Sequence, residues 1–231
     1  MGQTTTIEWA EATHNFWQGC RKVSPGCKNC YAERLMGEEK FKVVRKADYA
    51  AFHAPYRWRK PRSVFTCSMS DFFIEEADAW RRAAWDVIED TPQHTYMILT
   101  KRTERIQQCL PSSSAWLWPL VWLGASVENQ YWADVRLPQL LAMPAVKHFV
   151  SCEPLLGPID LSAYLPDLDW IITGGESGPD RRPFDKAWAS AILRQCQEAK
   201  VPFFFKQGSG LRPGQDRELE GKLWEETPSK G

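Results

Sequence analysis

Seven short apolar or β-branched runs, separated by segments with helical periodicity, constrain the fold of this chain more than any other feature. Runs that are mostly apolar, instead of alternating, are typical of strands covered on both faces. The runs span residues 14–18, 63–69, 95–100, 121–127, 147–152, 170–173 and 202–205. The helical patterns span residues 75–90, 103–109, 130–141 and 185–199. Strands that alternate with helices predict right-handed crossovers and a parallel sheet.

The alternation predicts an α/β fold, and we favour a parallel (β/α) partial barrel of about six units. A complete eight-fold barrel takes roughly 200 to 250 residues, and this chain of 231 residues uses its first 60 mainly for loops and cysteines. A doubly wound open sheet is the alternative. We treat residues 1–231 as a single domain with a cysteine loop at 19–31, an insertion-like basic segment at 33–62 and a polar C-terminal tail at 209–231.

Composition excludes several classes of protein. Lys plus Arg and Asp plus Glu both total 29, so the formal net charge is zero and no global basic field attracts nucleic acid. The chain has neither an apolar run of about 18 residues nor an apolar signal-peptide core, so we expect a cytoplasmic protein that does not span a membrane. Within this neutral total, the segment 33–62 has nine Lys or Arg against four Asp or Glu, a local charge of about +5.

Three of the seven cysteines crowd together, as Cys20, Cys27 and Cys30 in a C-x6-C-x2-C pattern. The Ser-Pro-Gly sequence at 24–26 predicts a turn that brings the thiols near one another. In a chain large enough to build its own core, such a set favours metal chemistry over disulfides. Two interpretations stay open: a [4Fe–4S] cluster with one iron free to bind a ligand, or zinc completed by His14 or another residue.

Polar residues follow five consecutive predicted strands. Because the carboxyl ends of parallel strands meet at one edge, we expect these residues at a single rim, where barrel enzymes place their chemistry. Each also has a structural interpretation, since Ser, Asp and Asn after a strand often cap the next helix. These residues are Ser68, Ser70, Asp71, Lys101, Ser126, Glu128, Asn129, Glu153, Gly174, Gly175 and Glu176.

The chain also resembles a known family over nearly its whole length. The segments that match are Ile7-Glu8-Trp9, Gly19-Cys20, Val23-Ser24-Pro25-Gly26-Cys27, Asn29-Cys30-Tyr31-Ala32, Ser68-Met69-Ser70-Asp71-Phe72, Leu99-Thr100-Lys101-Arg102, Gly124-Ala125-Ser126-Val127-Glu128-Asn129, Ser151-Cys152-Glu153-Pro154, Gly174-Gly175-Glu176-Ser177-Gly178 and Phe203-Phe204-Phe205-Lys206-Gln207. They are similar to a phage-associated three-cysteine family of unassigned function, which resembles the radical S-adenosylmethionine superfamily. The first cysteine gap, six residues, is longer than in that superfamily's commonest loop, and Asn29 stands where that loop has an aromatic residue.

The resemblance implies two cofactors, a [4Fe–4S] cluster on Cys20, Cys27 and Cys30 and S-adenosyl-L-methionine (SAM). With one electron from an external donor, such an enzyme cleaves SAM to a 5′-deoxyadenosyl radical that acts on a substrate. The residues that would contact SAM are Ser68, Ser70 and Asp71 at its methionine end, Ser126, Glu128 and Asn129 at its ribose, and Glu153, Gly174, Gly175 and Glu176 at the next two strand ends, where glycines let the backbone approach the adenine.

The sequence does not identify the catalytic residue or the substrate. Cys67 and Cys152 are candidates for donating hydrogen to a substrate radical, with a buried structural thiol as the alternative, and Lys101 is a candidate acid–base group. A nucleotide or nucleic acid is considered as substrate because segment 33–62 combines cations with aromatic rings. Two other functions stay open: a non-catalytic iron–sulfur or zinc protein, and a barrel lyase or hydrolase that uses Glu153 and Lys101.

Overall fold

A computed structural model describes residues 5–111 and 118–229, in which the chain forms eleven strands and seven α-helices. The strands are β1 (Ala12–His14), β2 (Trp17–Gln18), β3 (Arg45–Lys46), β4 (Ser63–Thr66), β5 (Thr95–Thr100), β6 (Val121–Ser126), β7 (Lys147–Cys152), β8 (Trp170–Gly174), β9 (Phe203–Gln207), β10 (Glu218–Leu219) and β11 (Lys222–Leu223). The helices are α1 (Tyr31–Met36), α2 (Glu38–Phe41), α3 (Tyr49–Phe52), α4 (Asp78–Glu89), α5 (Ile106–Cys109), α6 (Gln130–Leu141) and α7 (Lys186–Ala199).

Seven strands form one parallel sheet, in the order β1-β4-β5-β6-β7-β8-β9. This order follows the chain without reversing, so right-handed crossovers place their helices on one face, as in a barrel. A doubly wound sheet reverses its order at a switch point, and the alternative fold is therefore wrong. The sheet forms half of a barrel, which confirms the predicted partial (β/α) barrel.

The crossover helices form where apolar residues recur at helical spacing. In α7, for example, Ala189, Ile192, Leu193 and Cys196 form a buried stripe. The prediction for 130–141 is confirmed by α6, whereas the first residues of the predicted helices 75–90 and 103–109 form 3-10 turns. No helix in the described part of the chain is long and apolar enough to cross a membrane.

The predicted first strand, residues 14–18, is wrong in its bounds. Strand β1 ends at His14, and the next side chain, Asn15, turns to accept a hydrogen bond from the Met69 amide at 2.8 Å. The chain then forms β2, which pairs antiparallel with β3 in a separate two-stranded sheet. No apolar pattern could reveal that pairing, because β3 consists of two exposed basic residues.

The predicted run 63–69 also ends early, at Thr66. Cys67 adopts a left-handed backbone conformation with φ of 61°, and its amide donates to the carbonyl of His14 at 2.8 Å. This single residue turns the chain out of the sheet, because the left-handed region is incompatible with a strand. The predictions at 95–100 and 147–152 match β5 and β7, and the other three differ from β6, β8 and β9 by one or two residues at an end.

The polar tail is folded onto the sheet through residue 229, and residues 230 and 231 lie outside the described part. Its hairpin, β10 with β11, is followed by a stretch that runs along β9. There the Phe205 amide donates to the Trp224 carbonyl at 2.8 Å, and the Glu226 amide donates to the Phe203 carbonyl at 3.2 Å. The tail therefore protects a sheet edge that would otherwise expose unpaired backbone groups.

Two hydrophobic clusters lie on opposite faces of the sheet. The outer cluster joins strand residues to helix residues such as Ile88, Leu137 and Ile192. The inner cluster is built from strand residues and one tryptophan of the N-terminal segment, so it fills the face that the helices leave free. Its buried members are Trp9, Phe65, Met97, Trp122, Phe149, Trp170, Ile172 and Phe204.

Candidate functional site

Polar side chains occupy the carboxyl end of the inner face, beyond the aromatic cluster. Alternate residues of a strand point to the same face, so Ser126 follows Trp122, and Ser151 follows Phe149. Ser126 and Ser151 are also direct neighbours in the register of β6 and β7. The same alternation continues one position past β5 and β7 to Lys101 and Glu153, which are partly exposed.

Glu153 is the centre of a small charged group on this face. One carboxylate oxygen lies 3.0 Å from Nζ of Lys206, and the other accepts a hydrogen bond from the Ser151 hydroxyl at 3.2 Å. A Cβ atom at Gly174 would lie 2.9 Å from the first oxygen, so glycine at this position makes room for the carboxylate. The Glu153 and Lys206 side chains are 15% and 21% exposed, which leaves both accessible to a ligand on the inner face.

Lys101 adds a second cation to the rim. Its amide donates to Asp71 at 3.0 Å, but its ammonium forms no ion pair within residues 5–111 and 118–229. Leu99 precedes it on the same face and is likewise partly exposed. The carboxyl end of the inner face thus presents apolar, cationic and anionic groups, which are the kinds of group that bind a small zwitterionic or anionic ligand.

The cysteine loop, residues 19–31, lies across this end of the sheet. All seven cysteines are in the described part and are free thiols, and those of the loop, Cys20, Cys27 and Cys30, are partly exposed. The Gly19 amide donates to the Met69 carbonyl at 3.1 Å, and the Gly19 carbonyl accepts from the predicted site residue Ser70 at 2.5 Å. The loop therefore begins at the carboxyl end of β4, as the partial-barrel arrangement predicts.

Tyr31 closes the loop against the same strand end. Its hydroxyl donates to the carbonyl of Ser68, another predicted site residue, at 2.5 Å. Burial of this hydroxyl, followed by the proximity of Cys30, raises the pKa of Tyr31 well above its usual value, although part of the ring is exposed. The Ser68 hydroxyl accepts a hydrogen bond from the Asn15 side-chain amide at 3.2 Å. Ser68 and Ser70 therefore both bind the cysteine loop, and Ser68 also binds Asn15, which precedes the loop.

Glu128 connects the loop to the sheet from a fully buried position. One oxygen accepts from the Gly26 amide at 3.1 Å, and the other lies 2.8 Å from Nη1 of Arg136, with both side chains 1% exposed. The Arg136 guanidinium also donates to the Ser126 carbonyl at 2.7 Å and stacks 4.0 Å from the centre of the Trp132 ring. This buried pair fixes the turn that carries Cys27.

Glu176 holds the other end of the loop. Its carboxylate accepts from the Asn29 side chain at 3.0 Å and from the Arg182 backbone amide at 2.8 Å, and it is paired with the Arg182 guanidinium. Burial alone would raise the pKa of Glu176, but the bonds from Arg182 and Asn29 outweigh it and the pKa is lowered. Asn29 also donates to the Asp180 carbonyl at 2.7 Å, so the loop is bound to the segment that follows β8.

Asp71 uses both of its oxygens within the protein. One accepts from the Phe73 amide and the Thr100 hydroxyl, at 2.9 and 2.7 Å, and the other accepts from the Lys101 amide and lies 3.1 Å from Nη1 of Arg102. The side chain is 7% exposed. For Asp71 to accept from the ammonium group of a ligand, as the sequence predicts, one of these partners would have to move.

Arg102 connects Asp71 to the first cysteine. Its Nη1 lies 3.7 Å from Sγ of Cys20, and its Nη2 donates to the Arg21 carbonyl at 2.8 Å. Burial, together with the Asp71 charge, raises the pKa of the Cys20 thiol to about 12, while Arg102 acts in the opposite direction. The Arg102 guanidinium favours the thiolate form of Cys20, which is the form of cysteine that binds metal ions.

Three further predicted residues have local roles. Asn129 is the N-cap of α6 and accepts from the Trp132 amide at 3.1 Å, which is the capping role that its position allowed. Gly175 permits a close backbone approach, because a Cβ atom there would lie 2.9 Å from the carbonyl carbon of Gly208. Ser126 is buried beside Ser151 and contributes its carbonyl to Arg136.

The two thiols considered as hydrogen donors lie away from the inner face. Cys67 and Cys152 are buried members of the outer cluster, between the sheet and the helices. Burial raises the pKa of each thiol far above its usual value. Cys67 would face inward if β4 continued, but its left-handed backbone turns it outward. This placement favours the structural interpretation of both thiols.

The zinc interpretation with His14 as fourth ligand is not supported by the geometry. His14 is fully buried, its Nε2 lies 3.2 Å from the Phe52 carbonyl, and its ring packs against Phe16 and Trp58. Burial lowers the pKa of His14 to about 4. Among the residues that the structure describes, no three His, Cys, Asp or Glu side chains converge closely enough to hold one metal ion.

Sequence reasoning missed Arg136, Asn29 and Tyr31 as parts of the site. Arg136 had a usable signal, because it stands on the buried stripe of α6 with Ala133, Leu137 and Leu140. A charge on an apolar stripe indicates a buried partner. Asn29 and Tyr31 flank Cys30, but nothing local indicates that their partners lie at the ends of β8 and β4.

The fold and the site define a class of protein: an α/β half-barrel with a three-cysteine loop bound across the carboxyl end of its parallel sheet. Over residues 4–228 the chain matches the family described as protein of unknown function, DUF5131, and it belongs to that family. No curated protein and no solved structure matches the chain.

Proposed function

We propose that the protein is a radical SAM-type enzyme, in which Cys20, Cys27 and Cys30 bind a [4Fe–4S] cluster and SAM is reductively cleaved. One observation carries the proposal. Three free thiols lie on one loop, and hydrogen bonds from four strand ends, those of β4, β5, β6 and β8, hold that loop over the end of the half-barrel where barrel enzymes place their chemistry. The sequence segments that are similar to a phage-associated three-cysteine family, itself resembling the radical SAM superfamily, lead to the same proposal.

Three thiols on one loop are compatible with a cluster. In a four-iron cluster three cysteines bind three different irons, so their sulfur atoms need not converge as the ligands of one zinc ion must. Among the described residues no such convergence is found. The fourth iron would be left to bind SAM, and with an electron from an external donor the cofactors would supply methionine and a 5′-deoxyadenosyl radical.

The residues of the inner face supply binding and orientation. Glu153 can accept from the ammonium group of SAM, and Lys101 or Lys206 can donate to a carboxylate or phosphate. Arg102 donates toward the Cys20 sulfur and places a buried positive charge beside the loop. Glu128 and Glu176 fix the two ends of the loop that carries Cys27 and Cys30. We retain the cytoplasm as the expected location, because it keeps cysteines reduced.

A non-catalytic iron–sulfur protein is the second candidate. The observation that favours it is the engagement of Asp71, Glu128 and Glu176, which all bind protein groups in this structure. Three carboxylates predicted to bind SAM would then be needed only to build the loop. The two candidates agree on the cluster and differ on SAM.

Anaerobic iron and sulfide analysis, combined with electron paramagnetic resonance of the reduced protein, tests both. We expect about four irons per chain in the wild type and none in Cys27→Ala. Cys109→Ala is the matched control, because Cys109 is also partly exposed but lies on α5, outside the loop. Iron loss in the control but not in Cys27→Ala would contradict the assignment of the ligands.

Addition of SAM then separates the candidates. A spectrum that changes with SAM, and release of 5′-deoxyadenosine after reduction, would support the enzyme. A cluster whose spectrum is indifferent to SAM would support the non-catalytic protein. Glu153→Gln should weaken the SAM-dependent change without lowering the iron content, since Glu153 makes no contact with the loop backbone in the described structure.

A further inference from the structure

A row of aromatic rings lies exposed on the basic segment. Tyr49, His53 and Tyr56 follow one another on α3 and the turn after it, with ring centres 4.2 Å apart for the first pair and 6.0 Å for the second. The His53 and Tyr56 rings are nearly parallel, at 19°. Tyr49 is 81% exposed and Tyr56 is 45% exposed. A contiguous apolar patch on a protein surface often marks a binding site, and the Tyr49 and Tyr56 rings of this row are open to solvent.

Hydrogen bonds of their own side chains hold two of the three rings, His53 and Tyr56, and the Tyr49 ring packs on His53. Phe52, on the same helix, is fully buried against Phe16. The Tyr56 hydroxyl donates to Asp90 at 2.7 Å, and Nδ1 of His53 lies 2.8 Å from the Tyr49 carbonyl. Rings that are already fixed lose little conformational entropy when a planar ligand stacks on them.

The segment that carries the row has a local excess of positive charge, and the carboxylates of Asp90 and Asp86 lie near Tyr56 at one end of the row. Residues 45–62 contain six Lys or Arg and one Asp, which gives 6 − 1 = +5 in a chain whose formal net charge is zero. No ion pair joins any of these six cations to another described residue. By contrast, Arg81 and Arg105 near α4 are both paired with Asp78. The six are Arg45, Lys46, Arg57, Arg59, Lys60 and Arg62.

The charged surface begins beside the cysteine loop. Arg45 is paired with Gln18 in the small β2–β3 sheet, two residues before Cys20. The Cys20 amide donates to the Phe41 carbonyl at 2.8 Å, which ties the two segments together. Nζ of Lys46 lies 4.6 Å from the centre of the Phe52 ring, and the Arg57 guanidinium donates to the Ala50 carbonyl at 2.8 Å. Lys46 and Arg57 therefore flank the helix that begins the aromatic row, and Arg59, Lys60 and Arg62 follow it in the sequence.

We propose that this surface binds single-stranded nucleic acid, with bases stacked on the Tyr49–His53–Tyr56 row and phosphates neutralised by the flanking cations. Stacking on exposed rings combined with unpaired cations is the pattern by which proteins hold single strands without reading their sequence. A duplex hides its bases and cannot use the row. The inference goes beyond the proposed function and does not depend on it, because the surface contains no cluster ligand.

The test uses the full-length protein without added iron and fluorescein-labelled oligonucleotides of about 12 nucleotides. Fluorescence anisotropy at about 50 mM and 200 mM salt should show single strands bound more tightly than a duplex of the same sequence, with affinity falling as salt rises. Single-stranded DNA and RNA are measured separately, and tighter binding of either strand type than of the duplex supports the proposal.

Three variants examine the row and the charges. Tyr49→Ala should weaken single-strand binding about 5- to 100-fold, while Tyr49→Phe should bind like the wild type, because stacking needs the ring and not the hydroxyl. Arg57→Glu combined with Arg59→Glu should weaken binding and reduce its salt dependence. Tyr131→Ala and Arg194→Glu are controls on α6 and α7, with exposures similar to those of the tested residues, and should change nothing.

Three results would overturn the proposal. The first is equal affinity of Tyr49→Ala and wild type for single strands, with both proteins shown to be folded by circular dichroism. The second is equal affinity for duplex and single strand at both salt concentrations. The third is absence of binding to any oligonucleotide at about 50 mM salt, since electrostatic contacts are strongest there. None of these results bears on iron content, so they leave the proposed function to its own test.

Discussion

The two halves of the sheet's inner face are made by the same strands but differ in chemistry. At the amino end, Trp9, Trp122 and Trp170 pack with three phenylalanines, and the rings of Trp9 and Phe65 are 4.5 Å apart. At the carboxyl end the same strands present Ser126, Ser151, Glu153 and Lys206. A step of two residues along β7 and β9, and of four along β6, changes the face from closed and aromatic to open and polar.

This difference indicates a division of roles along the barrel axis. The closed half buries large rings that pack against one another, and the Trp170 indole also donates to the Glu226 carbonyl at 2.8 Å, so this half contributes stability. The open half contains charges that are partly exposed, and it is covered by a loop that is bound mainly by hydrogen bonds, with Cys20 packed against the outer cluster. We expect substitutions in the closed half to change the free energy of unfolding, and substitutions in the open half to change metal and ligand binding.

The largest effect on stability is expected for Trp170→Ala in the closed half. Removing this ring leaves a cavity beside Trp9 and Phe149, and we expect the free energy of unfolding to fall by about 3–5 kcal/mol. Urea unfolding measures the change, with Tyr131→Ala as the exposed control that should stay within about 0.5 kcal/mol. Iron content per folded molecule should equal that of the wild type. A selective loss of iron would contradict the division of roles.

Glu128→Gln tests the buried pair that holds the cysteine loop over the open half, because its partner Arg136 is fully buried. Leaving the Arg136 charge unpaired should lower the free energy of unfolding by about 3 kcal/mol. Hydrogen exchange of the Gly26 amide should accelerate, and under the proposed function bound iron should be lost to a chelator sooner than in Trp170→Ala.

The control for Glu128→Gln is Glu76→Gln. Glu76 also holds the loop, through Arg21, but that pair is exposed, so its loss should cost less than about 1 kcal/mol. If Glu128→Gln retained the wild-type exchange rate at Gly26, the assigned role of the buried pair would be wrong.

Arg102→Lys tests the hydrogen bonds that Arg102 makes to the cysteine loop. Lysine keeps the charge but cannot bond Asp71, the Arg21 carbonyl and the Cys20 sulfur together, so we expect a stability loss of about 1.5 kcal/mol. In the reconstituted protein the cluster's midpoint potential should become more negative, because a hydrogen bond to a ligand sulfur stabilises the reduced state. Arg105→Lys, which alters a pair outside the loop, should leave the potential unchanged.

The smallest effect on stability is expected at Glu153 and Lys206. Both side chains are partly exposed, so a double-mutant cycle of Glu153→Gln and Lys206→Met should give a coupling of about 0.5–1 kcal/mol in unfolding. SAM binding, measured by calorimetry on the iron-loaded protein, should fall far more than stability does. Equal losses of SAM affinity and of stability would show that the Glu153–Lys206 pair only stabilises the fold.

The sequence by itself determined the fold class and the position of the cysteines. Apolar runs and helical periodicity are local signals, so β5, β7 and α6 could be predicted to the residue. The strand order, which separates a half-barrel from a doubly wound sheet, was seen only in the structure, because right-handed crossovers are common to both folds. The short distance along the chain between Cys20 and Cys30 likewise places three thiols on one loop, whatever the rest of the chain does.

Only the tertiary structure decided what the rim residues bind. Glu128 meets Gly26 from 102 residues away, and Glu176 meets Asn29 from 147 residues away. A carboxylate at a strand end is equally suited to an amide of the protein or to a ligand, so its identity cannot show which it will meet. The same holds for Cys67, whose face of the sheet depends on one backbone angle, and for β3, whose two basic residues become a strand only because β2 lies beside them.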